Sequence, residues 1–235
     1  MPVFQLTKTL RFPPSHLAEP NGLLAVGGDL TPERLLLAYR QGIFPWYSDD
    51  TPILWWSPNP RLVLFPAELK ISQSLQRVVR KNLFQVTFNR AFREVIRSCG
   101  EVRRKEGEGT WITREMIDAY CLLHRLGFAH SVESWHQGEL VGGLYGVAIG
   151  RVFFGESMFT RKTDASKVAL VHLVRVLQRN AFEIIDCQVS TNHLKSLGAR
   201  EIPREHFLRY LNRAALSPAR TILIFPEEMN ILSPH

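Results

Sequence analysis

Three polar residues lie within strongly apolar segments of the chain. Glu156 lies in the segment 153–159, and Asp186 and Gln188 lie in the segment 184–189. A buried carboxylate without a partner is costly, so each acid either pairs with a Lys or Arg or faces a pocket that receives a substrate. Because two carboxylates and an amide fall on neighbouring predicted strands, we favour the pocket.

The chemistry that these residues suit is the transfer of an activated acyl group to an amine. Side chains alternate along a strand, so Asp186 and Gln188 share one face and Cys187 lies on the other. The pair could guide the proton that the amine loses, which is worth ~10²–10⁴ in rate, and holding two reactants together adds to this. A nucleophile built from Cys187, Asp186 and His193 is disfavoured, because the alternation turns Cys187 away.

Other common catalytic and metal-binding patterns are missing from the sequence. The histidines show no zinc-protease spacing, and there is no Gly-x-Ser-x-Gly elbow. Cys99, Cys121 and Cys187 are widely spaced and odd in number, which predicts neither a disulfide framework nor a metal site. No apolar run reaches the ~20 residues of a membrane helix, and no secretory signal is visible. We therefore expect a cytoplasmic protein.

The elements predicted around the three polar residues form a strand, strand, helix, strand unit. The strands are predicted over residues 140–149, 152–159 and 183–189, and the helix over residues 165–178. Asp164 before the helix and Asn180 after it are typical start and stop residues. Apolar residues cover most of the helix circumference, which predicts a buried helix and hence a covered sheet.

The chain divides into two regions of different composition. Residues 1–60 are rich in proline and tryptophan and carry one predicted helix, with Thr31 as its N-cap and Pro32 at its first position. A second domain, residues 61–235, mixes helices and strands, so the predicted fold class is α+β. Its further helices are predicted over residues 73–81, 91–99, 114–126, 192–196 and 203–212, its further strands over residues 61–66, 84–88, 129–135 and 221–225, and an exposed loop over residues 100–109.

The net charge of +7 indicates a polyanionic partner. For a single basic residue a solvated helix face is the simpler interpretation, but for the group a phosphate-binding surface is favoured. The candidate contacts are Arg77, Arg80, Lys81, Arg90, Arg93 and Arg97, followed by Arg103, Arg104 and Lys105. Trp46 is a candidate for base stacking, because amphipathic aromatic rings at the edge of a cleft stack well on bases.

Several short motifs occur in order along nearly the whole chain. They are residues 19–30, 42–46, 55–61, 108–113, 140–147, 155–159, 186–188 and 196–199. On these motifs the chain resembles the leucyl/phenylalanyl-tRNA–protein transferases, the bacterial aminoacyltransferases of the N-degron pathway. The resemblance implies a small N-terminal domain, here residues 1–60, followed by an acetyltransferase-like (GNAT-like) domain with a mixed sheet.

The resemblance also implies an activity. Leu, Phe or Met would be moved from aminoacyl-tRNA onto the N-terminal Arg or Lys of acceptor proteins, which marks those proteins for degradation. Because aminoacyl-tRNA is the co-substrate, no metal, no soluble cofactor and no membrane is implied.

Residue roles follow from the same resemblance. Asp186 and Gln188 correspond to the catalytic pair that orients and deprotonates the amine. Glu156 corresponds to a polar contact whose charge suits a cationic acceptor side chain. Trp46 and Trp111 correspond to the aromatic residues that hold the 3′ aminoacyl-adenosine. The side-chain pocket corresponds to Leu144, Phe153, Met158, Leu170, Leu173, Leu177 and Ile185.

Two positions of this pocket bear on its selectivity. Leu173 and Leu177 lie four residues apart on the predicted helix and so share a face. We expect them to line one cavity and, because Leu is smaller than Phe, to leave room for a long side chain. The sequence thus predicts that Phe is accepted at least as well as Leu. Apolar pockets separate such neighbours by only ~1–3 kcal/mol.

Two other functions would share some of these features. An acetyl-CoA-dependent acetyltransferase should have a Gly-rich turn that binds pyrophosphate before the buried helix, whereas this chain has Arg161, Lys162, Thr163 and Asp164 there. A non-catalytic tRNA-binding module would explain the basic charge but leaves the polar residues in the apolar strands without a role.

Overall fold

The computed structural model describes residues 3–105 and 112–215, which form two sheets and the helices that pack on them. The first sheet has the strand order β1-β2-β4-β3. Its strands are β1 (Phe4–Leu6), β2 (Leu23–Gly27), β3 (Phe44–Pro45) and β4 (Leu54–Trp56). Helix α1 (Pro32–Arg40) joins β2 to β3 and has the predicted proline in its first turn.

The second sheet has seven strands in the order β11-β5-β10-β9-β8-β7-β6. They are β5 (Arg61–Leu64), β6 (Gln85–Phe88), β7 (Ala129–His136), β8 (Glu139–Ile149), β9 (Val152–Thr160), β10 (Ile184–Gln188) and β11 (Arg200–Ile202). The helices of this region are α2 (Gln73–Arg80), α3 (Phe92–Lys105), α4 (Arg114–Arg125), α5 (Ala165–Arg179), α6 (Asn192–Ser196) and α7 (Arg204–Ala215). The pairing is antiparallel except between β9 and β10.

The buried helix α5 makes the crossover between the parallel strands β9 and β10, as a parallel neighbour requires. Successive residues of β8 show that helices cover both faces of the sheet. A Cβ on Gly142 would lie 2.5 Å from Ala165 Cβ of α5, whereas a Cβ on Gly143 would lie 3.4 Å from Val95 Cγ2 of α3. The prediction of a mixed α+β fold with a covered sheet is confirmed.

The predicted loop over residues 100–109 is wrong in its first half, because α3 continues to Lys105. Gly100 is buried in this helix, close against the side chain of Ile112. This tertiary contact favours a continued helix although glycine disfavours one locally. The strands of the first sheet were not predicted from the turn-rich residues 1–60. Residues 106–109 and the predicted strand 221–225 lie outside the described residues.

The hydrophobic core runs from one sheet to the other. One cluster of buried side chains contains Leu35, Tyr39 and Trp55 from the first region and Phe154 and Ile184 from the second. The boundary at residue 60 therefore stays a prediction. No helix among the described residues has the length and apolar character needed to cross a membrane. In the same residues, no group of three or more His, Cys, Asp or Glu side chains is arranged to bind a metal ion.

Candidate active site

A cavity of about 310 Å³ opens where β9 and β10 stop pairing. Their parallel register joins Val152–Phe154 to Ile184–Asp186. Beyond it, residues after Phe154 line one wall and residues after Asp186 line the other. The remaining walls come from β8, from α5, from Leu64 of β5, from α6 and the residue before it, and from Phe44, Pro45 and Trp46 of the first region.

Most of the predicted pocket residues surround this cavity. They are Leu144, Phe153, Met158, Leu170, Leu173 and Ile185. Leu177 is the exception and corrects the prediction: it is fully buried in the same hydrophobic cluster but lies outside the lining formed by the described residues. Leu177 lies four residues beyond Leu173, about 6 Å further along the axis of α5, and so falls behind the residues that line the cavity.

Trp46 lies at the mouth of the cavity and is 40% exposed, which is unusual for a tryptophan. Its backbone carbonyl accepts a hydrogen bond from Trp56 Nε1 over 2.6 Å, and the two rings lie 5.7 Å apart. The ring is thus supported from behind while its outer face is accessible. Trp111, the other predicted aromatic contact, lies outside the described residues.

Asp186 is fully buried and is paired with the equally buried Arg61. Two hydrogen bonds join the side chains, from Nε to Oδ1 over 2.8 Å and from Nη2 to Oδ2 over 2.6 Å. The simpler interpretation of this acid, a carboxylate paired with an arginine, is therefore correct. Asp186 also lies outside the cavity lining formed by the described residues, so its influence on a ligand must pass through its neighbours.

The neighbour that Asp186 controls directly is Gln188. The backbone N–H of Gln188 donates to Asp186 Oδ1 over 2.9 Å, and the pairing of β10 with β5 is irregular between these residues. Gln188 adopts a φ of 61°, a left-handed conformation that non-glycine residues rarely hold. The Asp186 carboxylate stabilises this bend, which directs Gln188 into the cavity lining.

Glu156 faces Gln188 across the gap between the strands. The register of β8 and β9 shifts here, with Tyr145 opposite Ser157 and Gly146 opposite Gly155, so Glu156 is the extra residue of a bulge. Glu156 Oε1 accepts a hydrogen bond from Gln188 Nε2 over 2.9 Å. Bulges commonly redirect a side chain towards a site, and this one places the carboxylate on the cavity wall.

Two tyrosines complete the polar network behind Glu156. Tyr120 of α4 donates to Glu156 Oε2 over 3.2 Å and shares a hydrogen bond with Tyr39 of α1. Burial raises the pKa of Glu156 to about 8; hydrogen bonds from Tyr39, Tyr120 and Gln188 oppose the rise and the negative charge of Asp186 adds to it. This raised pKa lowers the negative charge that Glu156 carries near neutral pH, so its role as a counter-ion for a cationic acceptor side chain stays a prediction.

Cys187 also lines the cavity, on the side of the α5 cluster. The prediction that Asp186 and Gln188 share one face and Cys187 lies on the other is wrong for the cavity: among the described residues Cys187 and Gln188 line it together, whereas Asp186 does not. The reason is the irregularity between Asp186 and Gln188, which breaks the alternation of the strand. Burial raises the pKa of its thiol well above the usual range. The thiolate is the reactive form of cysteine, so this environment disfavours Cys187 as a nucleophile.

The candidate basic residues from Arg77 to Arg97 separate into two groups. Helix α2 carries Arg77 and Arg80 and is followed by Lys81, all exposed; it packs on α5 through Leu75. Helix α3, with Arg93 and Arg97, packs on the other face of the sheet. Arg90 is exposed just before α3, and Arg93 forms an ion pair of 2.8 Å with Asp118. The edge strand β6 separates the two groups, so the predicted single basic run covers two surfaces.

The turn between β9 and α5 bears on whether the N-terminus of α5 could bind a pyrophosphate. Asp164 precedes the helix with a φ of 67° and forms an ion pair with Lys167 over 2.9 Å. An acid at a helix N-terminus occupies the position that a pyrophosphate would take. The turn therefore argues against an acetyl-CoA-dependent acetyltransferase.

Several cavity and network residues were missed by sequence reasoning. Phe44, Pro45, Val189, Thr191 and Leu194 line the cavity without having been predicted to do so. Arg61, Tyr39 and Tyr120 were missed because their partners are remote in sequence: Arg61 and Asp186 are separated by 125 positions. One feature of the sequence could have indicated Arg61: it is a charged residue at the end of the motif 55–61 and at the start of an apolar predicted strand.

Comparison with known proteins identifies the family. The family described as leucyl/phenylalanyl-tRNA protein transferase matches residues 63–212, and the N-terminal domain of the same family matches residues 28–59. The chain belongs to this family. The predicted family, and with it an aminoacyl-tRNA-dependent transferase, is thereby confirmed.

Relatives from several bacteria extend this match over almost the whole chain. The leucyl/phenylalanyl-tRNA–protein transferase of Syntrophobacter fumaroxidans is 74% identical over 90% of both chains. That of Nitrosospira multiformis is 64% identical over 85% of this chain and 87% of its own. That of Syntrophotalea carbinolica is 57% identical over 93% of this chain and 95% of its own.

Proposed function

We propose that this protein transfers Leu, Phe or Met from aminoacyl-tRNA to the N-terminal Arg or Lys of acceptor proteins and so creates an N-degron. The observation that supports the proposal most directly is the cavity between β9 and β10, which has an apolar base and a polar pair, Glu156 and Gln188, on its wall. An apolar base suits the aminoacyl side chain, and a polar wall suits the reacting ester and amine.

The apolar base distinguishes side chains by fit alone. Phe153, Leu170, Leu173 and Ile185 provide no polar group that would require one particular substrate. Such pockets separate neighbours by about 1–3 kcal/mol per methylene. Selection of a group of unbranched or γ-branched apolar residues is therefore the expected behaviour.

The exposed ring of Trp46 suits the terminal adenosine of the tRNA. It lies at the cavity mouth, where the adenosine would follow an aminoacyl group that is seated inside. Stacking of a base on an aromatic side chain is worth about 1–3 kcal/mol and tolerates any base. Trp111 remains the second candidate for this contact.

The reaction forms a peptide bond and breaks the ester bond to the tRNA. The amine nitrogen attacks the ester carbonyl, the amine loses a proton, and the 3′ oxygen of the tRNA leaves and takes up a proton. Gln188 donates from Nε2 to Glu156, so its Oε1 is available to accept an N–H of the amine. Asp186 supports this geometry through the backbone of Gln188.

The donor is already activated as an ester, so we propose that no metal or soluble cofactor takes part and that aminoacyl-tRNA is the co-substrate. We also propose that residues 61–235 form a GNAT-like domain behind an N-terminal domain of residues 1–60. The support for this is the mixed seven-stranded sheet, whose parallel strands diverge at the cavity. A cytoplasmic location agrees with a tRNA substrate.

Transfer of labelled Leu from charged tRNA to a peptide with N-terminal Arg tests the proposal. We expect the label to appear in this peptide. We expect no label in the peptide whose N-terminal amine is acetylated, or in a peptide that has Glu in place of the N-terminal Arg. Labelling of the acetylated peptide would contradict attack by the α-amine. Absence of transfer from Leu-, Phe- and Met-tRNA alike would overturn the proposed function.

A further inference from the structure

Arg61 is a fully buried arginine whose guanidinium has partners on every side. In addition to the double hydrogen bond to Asp186, its Nη1 donates to the backbone carbonyl of Gly42 over 3.1 Å. The rings of Phe44 and Phe207 flank the guanidinium, each with its centroid 4.8 Å from Cζ. Charge, hydrogen bonds and ring stacking together allow this side chain one position.

The two polar partners of Arg61 lead to two different walls of the cavity. Asp186 holds the backbone of Gln188 on one wall. Gly42 begins the segment that brings Phe44 and Trp46 to the other wall. Arg61 itself lies outside the cavity lining formed by the described residues, so it cannot touch a ligand there. Any effect of Arg61 on the reaction must act through the residues that it holds.

Stability alone gives little reason for such an ion pair. Removing two charges from water is expensive, and replacing a buried pair by apolar residues of similar volume is often neutral or stabilising. An apolar pair at these positions would leave the N–H of Gln188 without its present acceptor and the bend at Gln188 without its support. The pair is therefore best explained by the geometry that it gives to Gln188.

We propose that Arg61 is a positioning residue for the transfer reaction: it fixes Asp186, Asp186 fixes the left-handed turn at Gln188, and the side chain of Gln188 is thereby aimed at the reacting amine. Phe44 and Phe207 confine the guanidinium, and the bond to Gly42 ties it to the segment that carries Phe44 and Trp46. The inference rests on the proposed function and deepens it.

The variant Arg61→Lys tests the proposal. Lysine keeps the positive charge but cannot make the bidentate hydrogen bonds of the guanidinium or stack a planar group on the two rings. Misplacement of a reacting group by about 1 Å can lower a rate by about 10²-fold. We expect kcat for peptide transfer to fall by about that factor while KM for aminoacyl-tRNA stays near the wild-type value. A rise in KM with unchanged kcat would overturn the proposal.

Arg34→Lys is the matched control. Arg34 is also a buried arginine paired with an aspartate, here Asp29, and it donates to the backbone carbonyls of Thr7 and Thr9. It lies in the first region, outside the cavity lining formed by the described residues. We expect this variant to keep the wild-type kcat, and an equal loss of kcat in both variants would assign Arg61 a general structural role.

The variant Phe207→Leu loosens the guanidinium without changing a charge and carries the test if Arg61→Lys fails to fold. We expect the same loss in kcat, smaller in size, with little change in KM; an unchanged kcat would overturn the proposal. A double-mutant cycle of Arg61→Lys and Asp186→Asn should be strongly non-additive, because both variants break the same contact. Additive losses would show that Arg61 does not act through Asp186.

The activity of the wild-type protein distinguishes a failure of the proposed function from a failure of the role proposed for Arg61. If it transfers no amino acid to the Arg peptide, the proposed function fails. If it transfers well and Arg61→Lys transfers equally well, the function stands and the role of Arg61 is wrong.

Discussion

The side-chain amide of Gln188 donates a hydrogen bond to Glu156 Oε1 over 2.9 Å, across the gap where β9 and β10 have stopped pairing. Each residue lies at an irregularity of its own strand, a bulge for Glu156 and a left-handed turn for Gln188. Both distortions bring polar groups to a cavity that is otherwise apolar.

The first prediction concerns Asp186. Asp186→Ala leaves the charge of Arg61 buried and unpaired, and breaking such a pair costs about 3–5 kcal/mol of stability. Asp186→Asn also removes the counter-ion of Arg61, but it keeps the shape and one acceptor, so it should lose less stability than Asp186→Ala and about 10²-fold in kcat through the displaced Gln188. Single-turnover transfer and thermal unfolding of both variants check this. Near-wild-type turnover in Asp186→Asn would contradict the role of Asp186.

The second prediction concerns pH and stability. Burial raises the pKa of Glu156 from 4.5 to about 8, so between these values the folded protein keeps a proton that the unfolded chain releases. The free energy of unfolding should therefore fall as pH rises through this window, by up to about 1.4 kcal/mol per pH unit.

Glu156→Gln imitates the protonated side chain and should remove this part of the pH dependence. Urea unfolding of the wild-type protein and the variant between pH 5 and 8 is the measurement. Equal slopes for both proteins would show that the pKa of Glu156 is not raised in the folded state.

The third prediction separates two leucines of α5. Leu173 lines the cavity and Leu177 lies behind it. Leu173→Phe should fill part of the cavity and shift preference from Phe-tRNA towards Leu-tRNA by about 1–3 kcal/mol. Leu177→Phe should instead overpack the core, with a loss of stability of about 1–3 kcal/mol and little change in preference.

Competition between Leu-tRNA and Phe-tRNA at equal concentration measures the shift, and unfolding measures the stability. The assignment of the cavity wall would be wrong if Leu177→Phe changed the preference as much as Leu173→Phe did.

The fourth prediction locates the tRNA surface. Arg77, Arg80 and Lys81 follow an i, i+3, i+4 spacing and are exposed on one side of α2. If they contact phosphates, replacing all three by Gln should reduce the slope of log affinity against log salt. Each lost contact with a duplex that has the charge density of B-form DNA should reduce the slope by about 0.9. Aminoacyl-tRNA binding at several salt concentrations gives the slope.

The pair Arg93 and Arg97 on α3 is the comparison for this experiment. It lies on the other side of the sheet, and Arg93 is already paired with Asp118. Replacing both of these arginines by Gln should reduce the slope less than replacing the three basic residues of α2 does. The reverse order would place the tRNA on α3.

Local patterns predicted the part of the site that lies close together in sequence. The strand, strand, helix, strand unit from β8 to β10 follows from apolar periodicity and helix end signals, and each observed element lies within two residues of its predicted bounds. The polar residues within these strands also indicated the cavity, because a polar group in a strand that is predicted to be buried needs a partner or a binding site. In the first region, by contrast, short strands among prolines left no periodic pattern to detect.

The sequence by itself determined the family, the crossover unit, and the residues Glu156, Asp186 and Gln188 as the polar centre, because each of these depends on residue types at short spacing. Only the tertiary structure decided that Asp186 is held by Arg61 and that Leu177 lies behind the wall. It also decided that one basic run covers two faces of a sheet. The physical reason is that such contacts depend on strand order, bulges and helix packing, which join residues far apart along the chain and leave no trace in local periodicity.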